Sequence, residues 1–168
     1  NEGAGFVPIG TEANPFVGRF DGNGHKIRRL YINRSGQNFV GLFGYIVTGG
    51  EVLNLGIEEG WINGKEESTG ILAGFSDGII RNCYTTGGVL GASYVGGLVG
   101  LNYGTISQSY STGVVSGSSS VGGLVGFNGD NGTISQSYST GVVSGDWDIG
   151  GLVGYNYEGT ITQSYSTG

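Results

Sequence analysis

Apolar residues return along this 168-residue chain in a fixed frame. The stretch Gly96-Gly97-Leu98-Val99-Gly100-Leu101-Asn102 recurs as Gly122-Gly123-Leu124-Val125-Gly126-Phe127-Asn128 and as Gly150-Gly151-Leu152-Val153-Gly154-Tyr155-Asn156. Looser copies run from Val40 to Tyr45 and from Gly70 to Phe75. The closing glycines Gly44, Gly74, Gly100, Gly126 and Gly154 are spaced by 30, 26, 26 and 28 residues. A second half-repeat follows each copy: Thr105-Ile106-Ser107-Gln108-Ser109-Tyr110-Ser111-Thr112-Gly113, then its counterparts from Thr133 and from Thr160. Degenerate forms begin near Ile79, Glu51 and His25. A fixed period in the range of roughly 20–50 residues marks a solenoid or array.

A coil of 26–30 residues suits three short strands per turn, separated by glycine or Asn-Gly corners. Strands of successive coils then pair in parallel at about 4.8 Å, and such crossovers are almost always right-handed. The pattern predicts an all-β, right-handed parallel β-helix (β-solenoid) of about six coils. It is read as a single β-solenoid domain over 1–168, with irregular N-terminal coils at 1–68 and regular repeats at 69–168. Glycine interrupts every apolar run and no 3.6-residue stripe appears, so helix has no support.

The frame predicts three inward columns. The first is Ile27, Val52, Ile80, Ile106, Ile134 and Ile161; the second Leu42, Leu72, Leu98, Leu124 and Leu152; the third Val115 and Val143. One coil cannot bury such positions, but a stack of coils can. Serines 109, 111, 137 and 139 are small enough to let the walls approach. Alternation leaves their direction open, because Ile106 and Tyr110 share parity. Upstream, Phe6–Gly10 and Phe16–Phe20 read as strands, Asp21-Gly22-Asn23-Gly24 as a double turn, and Lys65–Ser68 as a polar loop.

Composition supports this picture. The chain holds 38 glycines and 2 prolines, yet Val, Ile, Leu and Tyr, which favour strands, fall at set points between the glycines. Glycine is expected at corners where φ turns positive. All seven Lys and Arg lie in the first 81 residues, and beyond Arg81 the only charges are Asp130, Asp146, Asp148 and Glu158. With no basic stripe to neutralise phosphates, nucleic acid is excluded as a partner. No apolar run reaches the length of a membrane span. The first residues have no secretion-signal pattern, so any such signal lies outside this stretch.

Candidate chemistry is sparse. Cys83 is alone and cannot make an internal disulfide; its register with Leu30, Leu55, Ser109, Ser137 and Ser164 reads as an inward core position. His25 lies in a Gly-rich turn with no nucleophile context. Asp146-Trp147-Asp148 is the best carboxylate pair and reads as a loop edge, without the further oxygens that calcium needs. No catalytic, cofactor-binding or metal residues are assigned, and no cofactor is expected. Asn33-Arg34-Ser35 and Asn131-Gly132-Thr133 are sequons.

Two recurring polar rows remain. Asn102, Asn128 and Asn156 fit either a polar binding row or an asparagine ladder at a corner, since asparagine tolerates the left-handed conformation and stacked amides hydrogen-bond along the axis. Tyr84, Tyr110, Tyr138 and Tyr165, with Tyr31 at the far end, form a stripe that fits either packing or an exposed interface.

The Gly-Gly-Leu-Val-Gly unit followed by Thr-Ile-Ser-Gln-Ser-Tyr-Ser-Thr-Gly resembles the GLUG-motif repeat of large bacterial surface and secreted proteins. The segment from Phe20 to Ile27, leading to Leu30-Tyr31-Ile32, is similar to the stretch that often precedes those repeats. The resemblance implies a β-solenoid serving as stalk or scaffold in adhesin-like or peptidase-associated exoproteins, and it brings no catalytic residues. The expectation is a non-catalytic structural repeat protein, extracellular or on the cell surface. Open strand edges at both ends predict self-association, end to end or lateral, with glycans or a host surface as further partners. The alternative is a glycan-binding or glycan-cleaving β-helix; a threonine row at 112, 140 and 167 raises ice binding as another.

Overall fold

The computed structural model describes residues 3–168, and every pair of named strands in it is parallel. Each turn of chain crosses three sheets. Sheet I stacks Phe43–Ile46, Ala73–Ser76, Val99–Asn102, Val125–Asn128 and Val153–Asn156. Sheet II stacks Arg19–Asp21, Glu51–Leu53, Ile79–Arg81, Thr105–Ser107, Thr133–Ser135 and Thr160–Thr162. Sheet III takes the rest of each turn as three short segments, Tyr110–Ser111, Val114–Ser116 and Ser119–Gly122 in one regular coil. In the two coils before it these segments fuse into Gly56–Gly70 and Tyr84–Gly96.

The fold is therefore a parallel β-solenoid of about five turns, slightly fewer than the six expected; only sheet II carries six strands. A turn also holds five strand segments, not three. The extra segments arise because sheet III bends twice without losing its pairing.

The core is a set of columns running along the axis. Ile80, Ile106 and Ile134 stack on sheet II, Val99 and Val125 on sheet I, and Val89 and Val115 on sheet III, all buried. Leu42, Leu72, Leu98 and Leu124 line the corner between sheets III and I. Burying one such side chain stabilises by about 1.5–3 kcal/mol, and each needs the coil above and the coil below to be covered.

The first coil departs from the expected frame. Phe20, not Ile27, pairs with Val52 and heads the sheet II column, while Ile27 pairs with Ile57 on sheet III. Leu30 likewise falls out of register with Leu55, since Tyr31 pairs with Trp61 and Gly56 with Tyr84. Phe16 and Phe20 close around Phe43, with ring centroids 4.9 and 5.6 Å away. The strands expected at Phe6–Gly10 and Phe16–Phe20 reduce to bridges at Gly5, Ile9 and Phe16 and a strand at Arg19–Asp21. Pro8 and Pro15 explain this, since each lacks an N–H and restrains the residue before it. Lys65–Ser68 is not a loop but part of the Gly56–Gly70 strand, with a register shift between Gly64 and Glu67.

Positive φ in the regular coils does not fall on glycine. Every positive-φ glycine lies at or before Gly87. Two columns of other residues take the left-handed conformation instead. Asn54, Asn82, Gln108, Gln136 and Gln163 (φ 48–54°) mark the corner between sheets II and III. Phe39, Ser68, Tyr94, Ser120 and Asp148 (φ 50–65°) mark a bend within sheet III. The motif glycines serve space instead: Gly97 lies against the Ser111 hydroxyl and the Gly123 carbonyl, where a Cβ has no room.

Candidate interaction surface

From Tyr110 to Ser116 inward and outward positions alternate strictly. Ser111, Gly113 and Val115 are buried, while Tyr110, Thr112, Val114 and Ser116 face out. The same order repeats from Tyr138 to Ser144, so identical outward side chains stack coil upon coil. Tyr84, Tyr110, Tyr138 and Tyr165 form one such stack. Their ring centroids are 4.9, 4.8 and 5.3 Å apart, and adjacent planes are within 8° of parallel. Tyr31 is not part of it; it stacks on Trp61 at 5.3 Å, one column across. Gly56 occupies the rung above Tyr84, and a Cβ there would press on the ring.

A charged cluster terminates the stack. Lys26 reaches past Gly56 to lie 5.9 Å from the Tyr84 ring centre, and it donates to Glu58 at 2.6 Å. Tyr84 donates to the same carboxylate oxygen at 2.8 Å, and Arg28 Nε lies 3.2 Å from the other. The hydrogen bond from Lys26, then that from Tyr84, holds the Glu58 carboxyl below its usual range, and the same carboxylate raises Lys26. Burial raises the Tyr110 phenol.

Asn102, Asn128 and Asn156 form an amide ladder on sheet I. Asn102 Nδ2 donates to Asn128 Oδ1 at 2.7 Å, and Asn128 Nδ2 to Asn156 Oδ1 at 2.8 Å. Each amide also donates to the turn carbonyl that follows it, at Gly104, Gly132 and Gly159. None of the three has positive φ, so the left-handed tolerance of asparagine plays no part here. Asn54 and Asn82 use that tolerance, in a second chain of bonds from Asn82 to Asn54 to the Asp21 carboxylate. That chain, led by the bond from Asn54, lowers the Asp21 carboxyl. Replacing Asn128 by alanine takes an acceptor from the buried Asn102 amide and the donor from the buried Gly132 carbonyl. The expected loss is about 1–3 kcal/mol by urea denaturation, against a smaller loss for Asn156→Ala at the open rung.

Two features have no precedent in the apolar spacing. The first is a serine ladder: Ser109, Ser137 and Ser164 are turned inward by the left-handed residue before each. Each hydroxyl accepts from the backbone N–H of the preceding coil at 3.1–3.2 Å and donates to the carbonyl two residues back. The second is an aromatic stripe outside sheet I, through Tyr45, Phe75, Tyr103, Phe127 and Tyr155. Its signal is the residue after each closing glycine, aromatic in every copy but Leu101, where Tyr103 fills the gap.

The remaining candidates stay apart. Cys83 is buried as expected, and burial pushes its thiol up to about 11. Trp147 and Asp148 begin a strand paired with Ser119–Gly122, so they are not a loop edge. Among the described residues, no group of three or more His, Cys, Asp or Glu is placed to hold a metal ion.

The family description of the GLUG motif matches residues 91–116, 117–144 and 145–168. Residues 91–168 are three tandem GLUG motifs. Each GLUG unit changes over at Gly117 and Gly145, within sheet III, so it is one solenoid coil read from a different starting point. Halomucin of Haloquadratum walsbyi is 43% identical over 101 residues, which cover 58% of this chain and 1% of that protein. The Putative Gly-rich membrane protein of Evansella cellulosilytica is 43% identical over 82 residues, covering 48% of this chain and 10% of that one. The chain thus spans a tenth or less of the curated relatives' length. No solved structure matches it significantly.

Proposed function

We propose that these GLUG coils form a non-catalytic rod segment of a surface protein, a stalk or filament unit that extends by stacking one coil on the next. One observation carries the reading. Ile134 is fully buried, while Ile161, its copy in the last described coil, is 37% exposed. Leu152 and Val153 are likewise only partly covered. The final coil thus presents a core cross-section and a row of parallel strand edges that another coil of the same register fits. Continuing chain can supply that coil, or a second copy can, in a head-to-tail contact that does not close. The names Halomucin and Putative Gly-rich membrane protein support a cell-surface setting, and neither is an enzyme's name.

Appending a copy of residues 117–144 after Gly168 is the test. The added coil should raise the urea midpoint of the rod, and electron microscopy of the parent chain at high concentration should show end-to-end particles. Uniform monomers together with no stability gain from the added coil would overturn the reading.

A further inference from the structure

We propose that the outward face of sheet III docks flat against the same face of a second copy, pairing two rods side by side. The inference rests on the rod reading in one respect: two straight stacks meet along their length.

The face is built from the columns through Tyr110, Thr112 and Val114 and their copies Tyr138, Thr140 and Val142. Val114 is 53% exposed and Val142 is 66% exposed, although they are branched apolar residues on adjacent coils, each just before the paired residues Val115 and Val143. Trp61 and Leu90 extend the apolar surface toward the N-terminal coils, and both are exposed. None of these columns carries a charge from Tyr84 to Thr167; the first charged groups along them are Lys26, Arg28 and Glu58, above Tyr84. Elsewhere the chain carries a net charge of −6. An uncharged, apolar patch on such a surface marks an interaction site.

The geometry favours a copy of this chain as the occupant. Side chains on the face repeat at the coil spacing, about 4.8 Å, so columns of one rod meet columns of another at every coil. Flat sheets of identical stacked side chains mate through dry, interdigitated contacts of this kind. A charged partner would bury its charge here without a counter-ion.

The area sets the strength. Seven residues at roughly 3.3 Å each make the face about 20 Å wide, and four coils make it about 15–19 Å tall. Two such faces bury on the order of 800 Å² in total, below the roughly 1,200–2,000 Å² of stable complexes. The pair is therefore a weak, concentration-dependent dimer that tightens as coils are added.

Sedimentation equilibrium of the Ile161→Asp chain tests this, because that substitution blocks end stacking and leaves only the lateral contact. A monomer–dimer equilibrium is expected, and Val114→Lys with Val142→Lys should weaken it at least tenfold while far-UV circular dichroism and the melting temperature stay unchanged. A Val114→Cys variant should form an intermolecular disulfide under oxidation, and Thr133→Cys on sheet II should not. A monomer at all concentrations, or a dimer indifferent to the two lysines, would overturn the lateral face. Neither result bears on whether an added coil stabilises the rod end.

Discussion

Replacing Gly122 by alanine is expected to cost more than the roughly 1–3 kcal/mol typical of overpacking, enough to unravel the coils around it. The added Cβ would lie far inside van der Waals contact of the Val125 carbonyl and 2.6 Å from the Gly154 nitrogen. Both obstacles are backbone, so no rotamer change relieves them. Gly96 and Gly150 meet the equivalent obstacles at Val99 and Val153, which is why the motif opens on glycine in each coil. Gly36 serves as control: no atom stands within 4 Å of its Cβ position and its φ is not positive, so alanine there should be neutral or slightly stabilising. Urea denaturation of the two variants checks the contrast. Similar midpoints would remove the close-approach account of the motif.

Truncating the same column at two heights should give unequal losses. Ile134→Ala removes a fully buried side chain between Ile106 and Ile161, and the expected loss is about 2–5 kcal/mol. Ile161→Ala removes a side chain already open to solvent on one side, so its loss should be less than half as large. Chemical denaturation of both variants, with the slope of the transition compared, decides it. Equal losses would mean that the last coil is not the weakly covered end of the stack. If an added coil covers Ile161, the cost of Ile161→Ala should rise toward that of Ile134→Ala.

Much of this architecture was legible without coordinates. Ile106, Ile134 and Ile161 are recognisable as one column because each stacks on its own copy, and the coil spacing alone identifies such copies. The row of Asn102, Asn128 and Asn156 and the tyrosine stack from Tyr84 to Tyr165 followed by the same logic in the regular repeats. The logic failed where coil length varies. From Val52 the column leads back to Phe20, a step of 32 residues, and spacing could not choose that over Ile27. Tyr31 was misplaced for the same reason.

The string of residues by itself determined the period, the all-β character and which residues stack along the axis, since those depend only on self-similarity. Which side of the wall each residue occupies was decided by the tertiary structure. Gln108 in the left-handed conformation breaks the simple alternation, so Ile106 faces in and Tyr110 faces out although they share parity. The turn is favourable only because Ser109 then points inward and caps the N–H of Cys83 in the coil before it. That bond exists only between coils, so no reading of a single repeat could contain it.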